Sequence, residues 1–534
     1  MPCHLDPHSR TTRLGVAIAA TLSSTQGALF SFAQCEATLF PSDGLVTDSF
    51  ATALDLDGRW AAVGNEFHDG PARDTGAVYM YEDRGDGVWA EVAKLVPAGA
   101  ELADRFGNAV DLDGSWLAIG AYLSAFGGSV SMYRLDGSSW IEHAEIQPSL
   151  PANGEQFGGS VSLESPWLFV GAPRDLLEGR PSGACFVFRL DDNGTPRDLS
   201  DDAWIEHAKL TPSDLRPGDE FGISVAVDPD GDHAVVGSWQ RAAPGASAAG
   251  AAYVFSREDN GTPDDLSDDV WTESAILEAE APQQLSDLFG VEVAIADPWI
   301  AVGERVSFLQ PERYGQTHMF RRTGTTWTRE AILEAFDAIP APAWYGSSLD
   351  FDGPSRLVVG AQFSGVVAPD AGAAYLYEEG AGVWSLQQKL HAAGTDEDDL
   401  FGSEVALDTG RVLVGASGAV VENDARGEAY IFDFNICPDA LTLTIEGACP
   451  GSVDFKAGHA WEGSTIFFVY GFNRGSRAVP GCPGLTVDLS DPRIGADADG
   501  VAALRTDLPS AACGRVLVQA VDTSTCRVSN VMTP

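Results

Sequence analysis

Basic residues are scarce in this sequence. Four lysines occur among 534 residues, and 32 basic side chains face 78 acidic ones, so the formal net charge is −46. A surface of this charge repels phosphate backbones and anionic lipid, which makes nucleic acid and membrane surfaces poor partners. Catalytic signatures are also lacking: H-E-x-x-H, G-x-S-x-G, a phosphate-binding loop and metal-spaced cysteine pairs do not occur. We therefore predict that the protein is not an enzyme and does not bind nucleic acid.

Apolar runs long enough to span a bilayer are lacking, and the nearest approach lies at the N-terminus. Arg10 and Arg13 precede a modest apolar stretch that ends at Ala33, with small residues where signal-peptidase cleavage requires them. Residues 1–33 are therefore predicted to be a signal peptide, and the protein to be secreted or held at the cell surface without direct membrane insertion. A membrane anchor is the competing interpretation, which four consecutive polar residues at 23–26 disfavour.

A repeat of 51 to 68 residues fills most of the remaining chain and occurs seven times. Each copy begins with an aromatic residue, has a glycine 14 to 16 residues later, and then has a glycine five residues before another aromatic residue. Short alternating runs lie between these landmarks and predict β-strands in a repeat architecture. The opening aromatic residues are Phe50, Phe106, Phe157, Phe221, Phe289, Tyr345 and Phe401.

A tryptophan in six of the copies marks a fourth strand. It precedes a short run such as Val92-Ala93-Lys94-Leu95, in which one face is apolar. No such run follows Phe432, but a matching segment, residues 36–41, stands near the start of the chain. We therefore predict an all-β fold in which residues 34–436 form a seven-bladed β-propeller. The N-terminal strand closes the ring by completing the last blade, which protects the sheet edges.

These residues resemble the FG-GAP repeat proteins, which include the seven-bladed propeller of the integrin α-subunit and exported bacterial relatives. The signature is Phe-Gly, then Gly-Ala-Pro, then a glycine that opens an aromatic strand. Phe157-Gly158, Gly171-Ala172-Pro173 and the run from Gly183 to Phe188 match it in full. Other copies match in part, since Gly303 precedes Glu304. The resemblance covers about three quarters of the chain, and it implies the propeller fold. Many unrelated functions occur on such scaffolds, and adhesion-type binding is the role that we expect here.

The resemblance also implies Ca²⁺ in a D-x-D-x-D-G loop of the first hairpin. A hard cation needs several carboxylates that converge on one turn. Three hairpins carry only Asp-x-Asp-Gly, which indicates a plain turn. One hairpin keeps three acidic residues at alternate positions, namely Asp228, Asp230 and Asp232. A structural turn and a metal site remain the alternatives there.

Two long acidic loops form a second candidate for Ca²⁺. The loop at 191–202 nearly repeats at 258–269, in the next copy of the repeat. Either a solvated turn has been duplicated, or the loops are ordered by weakly bound Ca²⁺. The candidate ligands are Asp192, Asn193, Asp198 and Asp201 in the first loop, and Asp259, Asn260, Asp265 and Asp268 in the second.

Ligand binding is predicted at the loops that join the second and third strands. These loops share one face of a propeller with the connections between blades, and here they are long and dissimilar. They hold cations and aromatic residues in an otherwise acidic chain: Arg174, Arg180, Trp239, Arg241, Arg305, Arg313 and Tyr314. Variable loops on a rigid scaffold often carry function, although a solvated rim is the competing interpretation. The expected role is binding of a protein or glycan ligand by a monomer, and the alternative is an exported carbohydrate-active enzyme.

Five of the eight cysteines lie in residues 437–534, where the repeat is lost. Short strands separated by turns predict a small C-terminal β-sandwich, and export favours disulfides. Cys35 and Cys437 flank the position where the missing last hairpin would turn, so we predict that they form a disulfide across the closure. Cys449, Cys482, Cys513 and Cys526 allow three pairings. Cys185 lies inside a strand and is predicted to be a buried free thiol.

Overall fold

The computed structural model describes most of residues 36–434 and the strands that lie between 442 and 528. The gaps in the first range are 45–47, 86, 152–153, 196–199, 244–247, 263–264, 280–287, 306–314, 336–343, 365–370, 393–397, 422–423 and 426. The chain divides into two compact units, of which one is Glu36–Asp433 and the other contains the C-terminal strands. The signal-peptide prediction and the Cys35–Cys437 prediction lie outside the described residues.

Seven four-stranded antiparallel sheets make up the first unit, which confirms the prediction of an all-β, seven-bladed propeller. The strands are given for each blade in order from the central channel of the propeller outwards. Blade 1 has Leu54–Asp57, Trp60–Asn65, Ala77–Asp83 and Trp89–Leu95, and blade 2 has Phe106–Asp113, Trp116–Ala121, Ser129–Asp136 and Ser139–Ile146. Blade 3 has Ser160–Glu164, Trp167–Ala172, Ala184–Asp191 and Ala203–Leu210. We call these four strands inner, second, third and outer.

Blades 4 to 7 have the same order. Their strands are Phe221–Val227, His233–Ser238, Ala251–Glu258 and Val270–Leu277; Phe289–Ala296, Trp299–Glu304, Gln316–Thr323 and Thr326–Leu333; Leu349–Asp352, Arg356–Ala361, Ala373–Gly380 and Val383–Leu390; Phe401–Asp408, Arg411–Ala416, Glu428–Asp433 and Glu36–Leu39. In blade 7 the outer strand is the N-terminal one, and Thr38 lies opposite Tyr430.

The remaining elements are short. Two small hairpins, Leu176–Leu177 with Arg180–Pro181 and Val420–Val421 with Asp424–Ala425, stand in loops between second and third strands. Three 3₁₀ turns are Ala125–Gly127, Leu266–Asp268 and Gly353–Ser355. None of the helical segments in the described part of the chain has the length and apolar character needed to cross a bilayer.

The core lies between neighbouring blades. The second and third strands are almost fully buried, because both of their faces pack against adjacent sheets. One apolar cluster joins blade 7 to blade 1, and it includes Leu39, Phe50, Leu413 and Ile431. Burial of this kind is the main source of stability for a sheet that has no helical layer to cover it.

The glycines of the repeat allow the blades to approach closely. Gly250, which precedes a third strand, pairs with Phe289 at the start of the next inner strand. A Cβ atom on Gly250 would lie 1.9 Å from the carbonyl oxygen of Phe289, and one on Gly303 would lie 2.0 Å from that of Gly346. The aromatic-glycine and glycine-aromatic landmarks therefore meet across each blade boundary, which explains why they recur in register.

The C-terminal unit contains two larger sheets and a hairpin. Thr442–Gly447, Gly451–Gly458 and Ala502–Leu508 form a three-stranded sheet, whereas Arg493–Gly495, Thr465–Gly471, Leu517–Asp522 and Arg527–Val528 form a four-stranded one. Ala478–Val479 and Cys482–Thr486 form the hairpin. The β-sandwich and the pairing of Cys449, Cys482, Cys513 and Cys526 stay predictions.

Candidate functional site

The loops between second and third strands and the connections between blades lie at one end of the propeller, which we call the loop face. Two residues of each blade meet there, at the ends of the two innermost strands. One directly follows the Gly-Ala pair, or its equivalent, at the end of the second strand, and the other directly precedes the opening aromatic residue. Because the inner strands line the central channel, these fourteen residues surround its mouth, and we call them the mouth ring.

Half of the mouth ring shares one backbone conformation in all seven blades, while its side chains differ. The residue before the opening aromatic has a left-handed φ, between 48° and 62°, in every blade. Such a conformation is strained for residues other than glycine. These seven residues are Ser49, Arg105, Gln156, Glu220, Leu288, Trp344 and Leu400. Their partners after the Gly-Ala pair are Glu66, Tyr122, Pro173, Trp239, Arg305, Gln362 and Ser417.

One sector of the mouth ring brings Trp239, Arg305 and Trp344 together from blades 4, 5 and 6. The guanidinium carbon of Arg305 lies 4.0 Å from the ring centroid of Trp344 and 5.2 Å from that of Trp239. The indole of Trp344 also meets Phe363 edge to face, with centroids 4.6 Å apart. Trp239 donates its indole N–H to the carboxylate of Glu220 at 2.6 Å. The three side chains are half-buried.

The charge of Arg305 is not neutralised by a carboxylate among the described residues. Its guanidinium makes no hydrogen bond or ion pair to them, and burial lowers the pKa of Arg305. Arg241, on the same face, differs because Asp214 and Glu278 bind its guanidinium at 2.7 Å and 2.5 Å. In a chain with 78 acidic residues, an unpaired half-buried guanidinium is an exceptional feature.

The channel itself is acidic. It has a volume of about 350 Å³ and is lined by the inner strands of all seven blades. Among the described residues, no Lys, Arg or His side chain lines it. The acidic lining residues are Asp55, Asp57, Asp111, Asp113, Glu164, Glu292, Asp350, Glu404 and Asp408.

Several of these carboxylates join neighbouring blades. Asp55 accepts a hydrogen bond from the backbone N–H of Leu112 at 2.6 Å, and Asp350 accepts one from Leu407 at 2.6 Å. The donors belong to the inner strand of the next blade, whose channel-facing edge would otherwise leave N–H groups unpaired. The three Asp-x-Asp-Gly hairpins are therefore more than the plain turns that the sequence indicated, because they bind blades 1, 2 and 6 to the next blade.

Four stretches of the chain match the model of the FG-GAP repeat, namely residues 34–81, 89–133, 204–255 and 384–432. The chain carries FG-GAP repeats. The matches fall in blades 1, 2, 4 and 7 and in the outer strands that precede or complete them. In blades 3, 5 and 6, which the model of the repeat does not match, the structure has the same four-stranded sheet and the same landmarks in equivalent positions.

Two solved propellers are similar to this FG-GAP chain at low sequence identity. One is a putative 6-phosphogluconolactonase from Bacteroides uniformis, with a TM-score of 0.43 and 12% identity over 64% of this chain and 85% of that one. The other is the periplasmic gluconolactonase PpgL of Pseudomonas aeruginosa, with a TM-score of 0.42 and 15% identity over 65% of this chain and 87% of that one. No curated protein matches the sequence.

The predicted ligand-binding residues separate into three groups on the FG-GAP propeller. Trp239 and Arg305 are in contact, and Trp344, which sequence reasoning missed, completes their cluster. Arg174 and Arg180 are exposed in the blade 3 loop, and within the described residues neither of them touches that cluster. Arg241 is held in ion pairs. Two further predicted residues, Arg313 and Tyr314, lie outside the described part of the chain.

The acidic side chains at the predicted Ca²⁺ sites bind the protein itself. Asp228 is buried and accepts the backbone N–H groups of Asp232 and His233, while Asp232 pairs with Arg257 at 2.6 Å. Asp230 lies at the turn. Among the described residues, no group of three or more His, Cys, Asp or Glu side chains is arranged to hold a metal ion.

The two acidic loops close on themselves in the same way. Asp201 and Asp268 each accept the hydroxyl of a threonine in their own loop, at 2.8 Å. Asp265 accepts the hydroxyl and the backbone N–H of Ser267. The other predicted ligands in the described residues, Asp192, Asn193, Asp259 and Asn260, also make bonds within the turns, and Asp198 lies outside the described residues. Ca²⁺ binding there stays a prediction, which thermal unfolding with and without a chelator tests.

The channel carboxylates predict how the stability of this FG-GAP propeller depends on pH. Burial raises the pKa of Asp55 to about 6, and burial raises the pKa of Glu164 and of Glu404 to about 8. In the unfolded chain these groups titrate near pH 4. The native state therefore holds more protons than the unfolded state between about pH 4.5 and 8, so the free energy of unfolding falls as the pH rises through that range.

We expect the midpoint of thermal unfolding at pH 8.5 to lie on the order of 5 °C below its value at pH 5.5. Circular dichroism melts across this range measure the shift. Glu404→Gln removes one of the titrating groups and should flatten the dependence. A midpoint that rises towards pH 8.5 would contradict the assignment of protonated carboxyls to the channel.

The cysteine of blade 3 has no role in the site. Cys185 is a fully buried free thiol, as predicted, and burial raises the pKa of that thiol. It packs among Phe169, Phe221 and Trp271 in the cluster between blades 3 and 4. A buried protonated thiol is unreactive, so Cys185 serves packing.

Proposed function

We propose that this protein is an exported, adhesion-type binding protein that recognises a protein or glycan ligand at the loop face of its propeller. The observation that carries the proposal is the convergence of Trp239, Arg305 and Trp344 from three blades at the mouth ring. Tryptophan and arginine are the residue types that contribute most to binding energy when they are clustered and partly desolvated.

The way the repeat is built supports this choice of face. Residues of different types occupy the mouth-ring positions in the seven blades, so the scaffold needs no particular side chain there. Pro173, Gln362 and Ser417 occupy the place that Arg305 occupies in blade 5. Side chains that the fold does not require, on strands that hold them rigidly, are well placed for recognition.

The double variant Trp239→Ala/Arg305→Ala is expected to lose binding while keeping the fold. The wild-type chain is first applied to glycan and protein arrays, with and without Ca²⁺, and its strongest ligand is then titrated against the variant. Loss of two hot-spot side chains should weaken binding at least about 30-fold. Arg321→Ala is the control, because Arg321 stacks on Trp299 at the other end of blade 5. Unchanged affinity in the double variant would remove this face from the proposal.

The proposal includes the localisation of the protein. Export through residues 1–33 places it outside the cell or at its surface, where a strongly acidic monomer is screened by salt. Secretion of the full-length precursor from a suitable host, followed by N-terminal sequencing, tests this: the mature chain should begin at Gln34. A product that keeps residues 1–33 and stays with the membrane would favour the anchor instead.

A carbohydrate-active enzyme is the second candidate, and one observation favours it. Burial and the nearby charge of Asp113 raise the pKa of Glu164 to about 8, so this channel carboxyl is protonated at neutral pH, as a general acid must be. A screen against chromogenic glycosides, with Glu164→Gln as the control variant, tests this role. Hydrolysis that the variant abolishes would establish an enzyme.

A further inference from the structure

The identity of the mouth-ring residues in one sector suggests what the ligand carries. Blade 5 departs from the Gly-Ala-Pro signature, since Glu304 and Arg305 follow its glycine. Glu304 is buried and pairs with the ring of His318 at 2.7 Å, so its carboxylate is already engaged below the surface. Arg305 is left to face the two indoles and the solvent. Among the described residues of blade 5, the guanidinium of Arg305 therefore has no acidic partner.

The geometry leaves the edge of the guanidinium available. The guanidinium carbon of Arg305 lies over the ring of Trp344, 4.0 Å from its centroid, and a cation–π contact of this kind does not use the N–H groups of the guanidinium. The carboxylate nearest to this sector in the mouth ring, that of Glu220, accepts the indole N–H of Trp239 instead. A planar fork of donors, held by stacking and half-removed from water, matches the two oxygens of a carboxylate.

The indoles and the charge of the chain narrow the class of ligand further. A pyranose ring has C–H groups that pack against aromatic side chains, and the half-buried indoles of Trp239 and Trp344 flank Arg305 on two sides. A polyanion would be repelled by a chain of net charge −46, whereas a single carboxylate within a Debye length of Arg305 would not be. Both arguments favour an uncharged glycan that ends in one acidic sugar over an acidic peptide.

We propose that the Trp239–Arg305–Trp344 cluster binds the carboxylate of a terminal sugar acid on an otherwise uncharged glycan. This inference rests on the proposed function, because it assigns the ligand class of the same loop-face site. Arg305 forms two parallel hydrogen bonds to the carboxylate, and the indoles hold Arg305 in place and pack against the sugar ring. No covalent step is involved.

The test uses the full chain and matched pairs of probes. Disaccharides ending in glucuronic or galacturonic acid are titrated beside their carboxyl-reduced counterparts, which end in glucose or galactose, by calorimetry and tryptophan fluorescence. We expect at least one acid to bind about tenfold or more tightly than its neutral counterpart. Arg305→Gln should abolish that difference, and Arg305→Lys should restore only part of it because lysine cannot form the two parallel bonds.

Arg321→Gln is the matched control. Arg321 also stacks on a tryptophan, Trp299, but it pairs with Glu330 at 3.7 Å and lies at the other end of the blade. Its substitution should leave the preference for the acid unchanged, and melting curves of every variant confirm that the fold is kept. An acetylated and amidated Gly-Asp-Gly peptide is included as the competing ligand class.

The outcomes distinguish this inference from the proposed function. Equal binding of acidic and neutral sugars overturns the inference, and so does the absence of binding by every acidic probe. The proposed function is still supported in either case if a ligand found on the arrays binds the wild type but not Trp239→Ala/Arg305→Ala. If the peptide binds more tightly than the sugar acids and Arg305→Gln abolishes that binding, the ligand is a carboxylate but not one carried by a sugar. An array ligand that the double variant retains, together with no preference for acids, overturns both.

Discussion

The substitution Gly250→Ala is expected to prevent blades 4 and 5 from packing together. The Cβ atom it adds would lie 1.9 Å from the carbonyl oxygen of Phe289 and 2.6 Å from its nitrogen, and both are backbone atoms that cannot move without separating two sheets. The positive φ of 82° adds strain. We expect a loss on the order of 4 kcal/mol or more in the free energy of unfolding, or failure to fold.

Gly261→Ala separates the two contributions. Gly261 has nearly the same φ, 80°, but nothing lies within 4 Å of the position of its Cβ atom. Its substitution should therefore show the backbone strain alone, about 1–2 kcal/mol. Thermal unfolding followed by circular dichroism compares the two variants. Similar losses in both would mean that close approach of the blades does not explain the repeated glycines.

The second large effect is expected at the boundary between blade 7 and blade 1. Arg411 donates to Asp433 in its own blade at 2.7 Å, and to Asp83 and the carbonyl of Gly58 in blade 1, both at 2.7 Å. Asp433 is 3% exposed and Asp83 is 11% exposed. Arg411→Ala would leave both carboxylates without this partner in a poorly hydrated place, so we expect a loss of about 3–5 kcal/mol.

Arg59→Ala is the control for that effect. Arg59 pairs with Glu82 in blade 1 at 2.8 Å, but 55% of its side chain is exposed, so removal should cost no more than about 1 kcal/mol. The midpoints of urea unfolding of the two variants measure the difference. If Arg411→Ala were as mild as Arg59→Ala, the bonds between blades 7 and 1 would not limit the stability of the ring.

The architecture could be predicted because each copy of the repeat carries three independent signals of its strands and turns. Strand alternation, turn glycines and the opening aromatic all depend on local backbone geometry, and local geometry is what a repeating sequence makes visible. His143 and His207 illustrate this: they occupy equivalent positions in the outer strands of blades 2 and 3, and each contacts a tryptophan and the backbone carbonyl of an aspartate.

The site could be predicted only in part, because it forms between copies. Trp239 and Arg305 stand at equivalent positions 66 residues apart, and the contact between them depends on the rotation from blade to blade. Trp344 was missed because it precedes an opening aromatic, outside the loops considered. The signal that could have found it is its position, because the residue before the opening aromatic is half-buried and has a left-handed backbone in every blade. Asp55 and Asp350 were interpreted within their hairpins, whereas their hydrogen-bond partners belong to the next blade.

The left-handed backbone of seven mouth-ring residues has a consequence for how such a protein can change. The turn keeps this backbone whether Ser49, Leu288 or Trp344 occupies it, so the turn does not require one particular side chain. Relatives with the same propeller could then acquire new specificities through substitutions in the mouth ring, without compensating substitutions at the blade boundaries. A combinatorial library confined to the fourteen mouth-ring positions is therefore a direct way to change the ligand specificity of this propeller.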